Sequence, residues 1–300
     1  MRRALAAGLA GAAAGLAYSA GYEVHAYTLR RHTVPVLPRG GPLRVLHLSD
    51  LHLTPGQRTK QEWVRSLGGL RPDLVVTTGD LIAHPDAVPA LRGALGALLD
   101  SEGVFVRGSN DYFAPELKNP GRYLLPDDGR RSIHGDRLPT AELDGLLTGS
   151  GWHDLDNARA VLPVADLVLD IVGTDDAHLE YDRYDLVSGP RAAGADLMLG
   201  VTHAPYLRVL DPMAADGADL ILAGHTHGGQ LCLPGGRALV TNCDLDTDRA
   251  RGLSRHPAAG PPGAAWLHVS GGLGTSPTAP VRFACRPEAS LLTLVERSSR

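Results

Sequence analysis

Side chains that bind divalent metal ions recur where five apolar segments of this sequence end. In chain order they are Asp50 and His52, Asp80, Asn110, His203, and His225 and His227. Carboxylates, imidazoles and an amide oxygen form a mixed nitrogen and oxygen set, which suits Mn²⁺, Fe²⁺, Co²⁺ or Zn²⁺ better than Ca²⁺. These seven ligands exceed the need of one four-coordinate ion, but they suffice for two ions about 3.5–4 Å apart that share a carboxylate. The sequence therefore predicts a site for two divalent metal ions.

The single motifs differ in how much they indicate. The Asp-x-His pattern occurs a second time at Asp176-Ala177-His178, so the pattern alone is weak evidence. The pair His225 and His227 between glycines is stronger. Alternate residues of an extended segment point the same way, and glycine lets the backbone bend close to an ion. The ordered set of motifs therefore carries the prediction, and no single member does.

The segments that precede these ligands have the character of buried strands. We predict strands at 43–49, 73–79, 104–106, 166–173, 196–203 and 219–227, with further strands at 238–242, 265–270 and 290–296. Continuous apolar runs that alternate with helices indicate an α/β fold with a largely parallel, buried sheet. The strand ends of such a sheet lie along one edge, so the ligands can converge. The strand-rich second half indicates a second sheet packed on the first.

Composition and charge narrow the class of protein. The chain has 300 residues, of which 43% are hydrophobic, so it can bury a sizeable core. Its net charge of −4 includes no basic block, which argues against a nucleic-acid partner. Three cysteines without C-x-x-C spacing argue against a disulfide framework or a thiolate zinc site.

The N-terminus raises the question of a membrane. Arg2 and Arg3 precede an uncharged run from Ala4 to Tyr22, which approaches the roughly 17–25 residues that cross a bilayer. We interpret residues 1–22 as a signal anchor or a cleaved signal peptide, with an alanine-rich helix packed on the domain as the alternative. Residues 23–42 are predicted to be a linker, and 43–300 the catalytic domain. The protein is then membrane-associated or exported, and the side of the membrane stays open.

Five motifs together resemble those of the calcineurin-like metallophosphoesterases. They are SDLHL at 49–53, TGDL at 78–81, GSND at 108–111, THAP at 202–205 and GHTHGGQ at 224–230. The resemblance covers about residues 43–297. The longer stretches GHTHGGQLCLPGG and SGGLGTSP are similar to the bacterial membrane-associated or exported branch, which includes relatives of the UDP-2,3-diacylglucosamine pyrophosphatases. The resemblance implies a two-sheet β-sandwich with helices on both outer faces, a four-layer αββα arrangement.

The family pattern also implies a role for each ligand. Asp50, His52 and His227 would hold the first metal, Asp80 would bridge both metals, and Asn110, His203 and His225 would hold the second. A hydroxide bridging the two ions would attack phosphorus in line with the leaving oxygen. The implied activity is hydrolysis of a phosphorylated small molecule or lipid, such as a lipid-linked diphosphate or phosphodiester. The alternatives are a nucleotide phosphodiesterase or nucleotidase, a mononuclear hydrolase, and a degenerate homologue without catalysis.

One motif departs from the family. Gly-Ser-Asn-Asp at 108–111 stands where the family usually has Gly-Asn-His-Glu/Asp. Without a gap, Ser109 takes the ligand position and Asn110 the histidine position. With a slip of one residue, Asn110 is the ligand and Asp111 replaces the histidine. We prefer the slip, because an amide oxygen is a better ligand than a serine hydroxyl. Asp111 could then act as a catalytic proton donor if burial raised its pKa.

Three further residues are candidates for contact with the substrate. His84, in the loop after Asp80, could compensate for the missing histidine, although an exposed loop residue is the simpler interpretation. Asp176 and His178 follow another predicted strand, where a solvated acidic turn is the simpler interpretation. His47, inside the first strand, is interpreted as a buried histidine that is satisfied in the core or beside the site.

Overall fold

Two six-stranded sheets form the centre of the molecule in the computed structural model, which describes residues 14–116, 135–260, 264–275 and 279–297. The strands are β1 Thr28–Leu37, β2 Leu43–Leu48, β3 Leu74–Thr78, β4 Gly103–Val106, β5 His153–Asp154, β6 Arg159–Val164, β7 Leu167–Gly173, β8 Leu197–Val201, β9 Leu220–Ala223, β10 Gly252–His256, β11 Ala265–Val269 and β12 Glu288–Glu296. The first sheet has the order β1-β12-β2-β3-β4-β5, and the second the order β10-β11-β9-β8-β7-β6.

Each sheet has a parallel centre, as the continuous apolar runs predicted. Strands β2 to β5 are parallel in the first sheet, and β7, β8, β9 and β11 are parallel in the second. Antiparallel pairs occur between β12 and β2, between β6 and β7, and between β10 and β11. The strands that precede the predicted ligands are all in these parallel centres, so their carboxyl ends can meet.

Helices cover the outer face of each sheet. They are α1 Arg58–Ser66, α2 Val88–Leu95, α3 Ser109–Tyr112, α4 Thr140–Gly149 and α5 Leu207–Ala215. One apolar cluster lies between the first sheet and helices α1, α2 and α4, a second between the two sheets, and a third between the second sheet and α5. These three clusters separate four layers, which confirms the predicted αββα sandwich.

The predicted linker over residues 23–42 is wrong in its central part. Strand β1 runs through it and pairs in parallel with β12 at the edge of the first sheet. Val34, Val36 and Leu37 are buried in the cluster between the sheets. Charged residues and a proline interrupt the apolar pattern of β1 in the sequence, because only the C-terminal end of this edge strand is buried. The prediction of a strand over 238–242 is also wrong, since a single bridge from Ala238 to Cys232 is all the pairing found there.

The start of the described chain packs on the domain. Residues 14–17 are helical and continue through a π turn at Tyr18–Tyr22 into a 3₁₀ turn at Glu23–His25. Glu23 is buried, and its carboxylate accepts the backbone N–H groups of Ala284 and Cys285. The predicted anchor at 1–22 lies largely on residues 1–13, outside the described residues. No helix in the part of the chain that the structure describes is long and apolar enough to cross a membrane.

The placement of β1 can be tested with a matched pair of valine substitutions. We expect Val34→Ala to lower the free energy of unfolding by about 2 kcal/mol, because it removes buried methyl groups and leaves a cavity between the sheets. Val161 in β6 is 51% exposed, so Val161→Ala should change the free energy of unfolding little. Urea denaturation of both variants measures the difference. Equal effects would mean that β1 is not part of the folded core.

Candidate metal centre

Five of the seven predicted ligands have an unusual backbone conformation. Their φ angles are positive, in the region that non-glycine residues rarely adopt. They are Asp50 (φ 51°), His52 (φ 41°), Asp80 (φ 54°), His225 (φ 67°) and His227 (φ 50°). Such strain persists where the surrounding structure enforces it, and it clusters at functional sites. The strand ends therefore turn sharply to aim these side chains into one place.

The aimed side chains form two overlapping groups of ligand atoms. Asp50, His52 and His227 make one group, and Asp50, Asp80 and His203 make the other, with the ligand atoms of each group within 4.8 Å of one another. The Oδ2 atom of Asp80 lies 3.4 Å from Nε2 of His52 and 3.7 Å from Nε2 of His203. Asp80 therefore lies between a ligand predicted for the first metal and one predicted for the second.

Backbone carbonyl groups fix the protonation of three ring nitrogens. Nδ1 of His203 lies 2.6 Å from the carbonyl oxygen of Thr78, and Nδ1 of His227 lies 3.0 Å from that of Gly274. Nε2 of His225 lies 3.2 Å from the carbonyl oxygen of Asn242. A carbonyl oxygen only accepts, so each of these nitrogens carries a proton, and whenever the ring is neutral its other nitrogen offers a lone pair.

The lone pairs face one another in the centre. Nδ1 of His225 lies 3.3 Å from Nε2 of His203, and the lone pair on Nε2 of His227 lies 3.2 Å from Nε2 of His52, whose own Nδ1 has no partner among the described residues that would fix its tautomer. Nitrogen lone pairs and carboxylates at such distances repel unless a proton or a cation lies between them. Orienting a ligand histidine through its other nitrogen is also the usual arrangement around protein-bound metals. The donor set therefore fits divalent cations.

Burial and mutual charge strongly shift the acidities in the centre. Burial raises the pKa of Asp50, and it raises the pKa of Asp80 to about 8, with the charge of Asp50 adding to the effect. Burial opposes protonation of His203, but Asp80, Asp176 and Asp50 raise its pKa to about 9. Burial holds the pKa of His52 well below its usual value. When no cation is bound, the raised pKa values of Asp80 and His203 keep protons in the centre. Metal binding must therefore release these protons.

Two glycines allow the backbone to pack directly on the ligands. A Cβ atom on Gly108 would overlap the Oδ1 atom of Asp80, and one on Gly224 would overlap the hydroxyl of Ser49. Gly108 of the GSND motif and Gly224 of the GHTHGGQ motif are therefore required, because a side chain at either position would overlap its neighbours.

The contacts of Asp111 differ from those expected of a proton donor beside the substrate. It is fully buried, and its two carboxylate oxygens accept four backbone N–H groups. Oδ1 accepts from Leu81 at 2.8 Å and Ile82 at 3.3 Å, and Oδ2 from Asp80 at 2.8 Å and Gly108 at 3.0 Å. Burial raises its pKa, and the backbone donors oppose that effect. Asp111 therefore joins the loop after β3 to the start of α3, which contradicts its predicted role as a proton donor beside the substrate.

Asn110 lies at the edge of the centre. Its backbone N–H donates to Oδ1 of Asp80 at 2.7 Å, and its side-chain Nδ2 donates to the carbonyl of Phe113 at 3.0 Å. The amide oxygen is therefore the side-chain atom that it can offer to a metal ion or a phosphate group.

The structure separates the three candidates for substrate contact. Asp176 is fully buried and contributes to the raised pKa of His203, and the ring of His178 lies 4.5 Å from that of His225. Both therefore lie beside ligands predicted for the second metal. Within the described residues, the hydrogen bond found for the half-exposed side chain of His84 stays in its own loop, where Nδ1 accepts from the backbone of Asp86.

Sequence reasoning missed Arg282, which is fully buried next to the centre. Its guanidinium donates to the carbonyl oxygens of Gly271, Gly272, Gly274 and His227. One cationic side chain thus fixes the glycine-rich turn and the loop of the predicted ligand His227 together. A lone arginine in an irregular segment carries no periodic signal, so only its position after the SGGLGTSP stretch could have drawn attention to it.

Comparison with known proteins agrees with the geometry. Residues 43–229 match the model of a family described as calcineurin-like phosphoesterase. The uncharacterised metallophosphoesterase YkuE of Bacillus subtilis is 26% identical over 306 residues, which cover 97% of this chain and 93% of that protein. A Bos taurus transmembrane protein with a metallophosphoesterase domain is 30% identical over 67% of this chain and 43% of its own length. A dimetal phosphatase from Danio rerio shares 12% identity at a TM-score of 0.43, covering 85% of this chain and 99% of that one.

The substitution Asp111→Asn distinguishes a structural role of this carboxylate from a role as the general acid in catalysis. We expect Asp111→Asn to lower the free energy of unfolding by about 1.5–3 kcal/mol, because the amide cannot accept all four N–H groups and its own NH₂ faces donors. The alkaline side of the pH–rate profile should keep its position. A general acid must be protonated to act, so its removal would instead abolish that limb and leave stability intact. Thermal unfolding and a pH–rate profile measure the two quantities.

Proposed function

Because this chain belongs to the calcineurin-like phosphoesterase family, we propose that it hydrolyses a phosphodiester or diphosphate bond with two divalent metal ions held at the candidate centre. The convergence of buried carboxylates and imidazole lone pairs carries this proposal. When bound, the cations supply Lewis acidity that activates water and offsets phosphate charge. Asp50, His52 and His227 are assigned to the first ion, and Asp80 to both.

The second ion is assigned to His203, His225 and the amide oxygen of Asn110. The carbonyls that hold the two histidines keep their lone pairs directed inward. The N–H of Asn110 holds Oδ1 of Asp80, which leaves Oδ2 for the centre. Asp176 and His178 lie beside these ligands and are assigned to the substrate side, where an imidazole N–H can donate to phosphate oxygens. The carboxyl group of Asp176 can donate only when it is protonated, and burial raises its pKa to about 6.

The nature of the leaving group follows from what the motif lacks. The GSND motif has no histidine, and both carboxylate oxygens of Asp111 are occupied by backbone N–H groups. A leaving oxygen of high pKa needs a proton donor, whereas a phosphate leaving group of low pKa does not. This supports a diphosphate or an activated diester in preference to an alkyl monoester.

A lipid-linked substrate is the finer part of the proposal. A pocket beside His227 is lined by Leu231, Leu239, Val240 and Val281, which could take an apolar group. Tyr18 and Tyr22 are 40% and 54% exposed in the N-terminal segment, and Tyr18 packs edge-on against Phe283. Amphipathic aromatic rings favour the boundary between bilayer and water. These features support action at a membrane surface; hydrolysis of free nucleotides without hydrolysis of lipid diphosphates would favour the nucleotidase alternative.

The two-metal assignment predicts a stoichiometry. After Mn²⁺ loading and desalting, elemental analysis should find two ions per wild-type chain and none in Asp80→Ala, because that carboxylate lies between both groups. Activity on bis(p-nitrophenyl) phosphate should fall by about 10²–10³-fold or more. The control Asp86→Ala removes an exposed acid from the same loop and should keep both ions. Full activity of Asp80→Ala would contradict the bridging role.

A second pair of variants tests the amide ligand. We expect Asn110→Ala to retain one ion, because the amide oxygen completes the second site, while Ser109→Ala retains two. The same elemental analysis measures both variants. If Asn110→Ala keeps two ions but loses turnover, the amide serves the substrate and not the metal. If Ser109→Ala loses an ion, the hydroxyl is the ligand.

A further inference from the structure

A chain of buried hydrogen bonds connects two histidines of the sheet interface to Asp50. Nδ1 of His268 in β11 lies 2.9 Å from Nδ1 of His47 in β2, and Nε2 of His47 lies 2.9 Å from the hydroxyl of Thr78. That hydroxyl lies 2.7 Å from the hydroxyl of Ser49, which lies 2.6 Å from Oδ2 of Asp50. All five side chains are fully buried. The chain thus crosses from the second sheet to a metal-ligand carboxylate of the first.

The carboxylate at one end fixes the direction of every proton in this chain. A carboxylate that binds a metal ion is ionised and only accepts, so in the metal-bound centre Ser49 donates to Oδ2 of Asp50 and must itself accept from Thr78. Thr78 has then used its single proton, and its oxygen accepts from Nε2–H of His47. Burial lowers the pKa of His47 to about 3, so the ring is neutral and its Nδ1 carries a lone pair. Nδ1–H of His268 therefore donates to His47, and each proton points toward Asp50.

The chain holds one carboxylate oxygen and leaves the other for the metal. Ser49 binds Oδ2 of Asp50, whereas Oδ1 lies 3.7 Å from Nε2 of His227 in the first ligand group. The backbone N–H of His225 lies 3.2 Å from Oδ1 and 3.1 Å from Oδ2. Rotation of the carboxylate would break the Ser49 bond, so the hydroxyl sets the direction of Oδ1.

We propose that His47 and His268, acting through Thr78 and Ser49, are positioning residues that orient Asp50 toward the first metal ion. The inference rests on the proposed two-metal function. Hydrogen bonds that orient ligand groups typically change metal affinity by about 10–100-fold when they are removed. A hydrogen-bond chain in a low-dielectric interior also strengthens each of its members.

The proton directions can be measured without any substitution at the metal site. Nitrogen-15 NMR of the full chain, with labelled histidine and saturating Zn²⁺, a diamagnetic ion that keeps Asp50 ionised, should show His47 protonated at Nε2 and His268 at Nδ1. His47→Gln and His268→Gln assign the two sets of signals. A His47 ring protonated at Nδ1 would reverse the chain and overturn the proposal.

Two adjacent threonines supply a matched pair for the metal-affinity test. Thr78→Val removes the hydroxyl from the chain but keeps the carbonyl that holds His203. Thr77→Val makes the same change at a buried hydroxyl with no hydrogen-bond partner among the described residues. By Mn²⁺ titration calorimetry, we expect Thr78→Val to weaken the binding of one of the two ions, the one assigned to Asp50, by about 10–100-fold, and Thr77→Val to weaken it by less than twofold. Equal affinities for the two variants would overturn the positioning role.

The two tests separate this inference from the function on which it rests. Wild-type protein that binds no Mn²⁺ would overturn the proposed function and the metal-positioning role with it. Wild-type protein that binds two ions, with equal Thr77→Val and Thr78→Val affinities, would overturn the positioning role alone. If Thr78→Val does not fold, the wild-type NMR spectrum still decides the direction of the chain.

Discussion

The repulsion among buried acids and inward-facing lone pairs is the constraint on which the rest of the centre depends. Asp50 and Asp80 are buried close to each other, and burial raises the pKa of both. Carbonyl acceptors hold the histidine rings in tautomers that add lone pairs to the same space. Such a cluster destabilises the fold when no metal ion is bound, so the binding of cations there is favourable. The positive φ angles of the predicted ligands are tolerated because they direct these side chains into the same cluster.

Two buried side chains of opposite charge, Asp111 and Arg282, hold the backbone around this cluster. The carboxylate of Asp111 collects N–H groups from the loop after β3 and from the start of α3. The guanidinium of Arg282 collects carbonyl oxygens from the Gly271–Gly274 turn and from His227. Sharp turns leave both kinds of backbone group without partners in secondary structure, and each side chain satisfies one kind. Neither side chain needs to touch the substrate to be essential.

Sequence reasoning succeeded where residue type and strand ends determine the outcome. The apolar runs before Asp50, Asp80 and His203 predicted parallel strands whose ends converge, and the four-layer fold is confirmed. It failed for Asp111, because a motif gives a residue type but does not give the direction of a side chain. It also failed for β1, where the pattern of buried residues begins only at Val34. Arg282 escaped because a single charge in an irregular segment has no periodic neighbour.

The position of β1 has a consequence for the metal centre itself. His32 in β1 packs its ring 5.1 Å from that of His268, and His268 contacts His47 at the head of the chain that ends on Asp50. The two histidines of that chain belong to different sheets, so the distance between the sheets sets their contact. Strand β1 covers this interface at the edge of the first sheet. The structural unit that positions Asp50 therefore begins at β1 and not at residue 43, since the position of this candidate metal ligand depends on how both sheets pack.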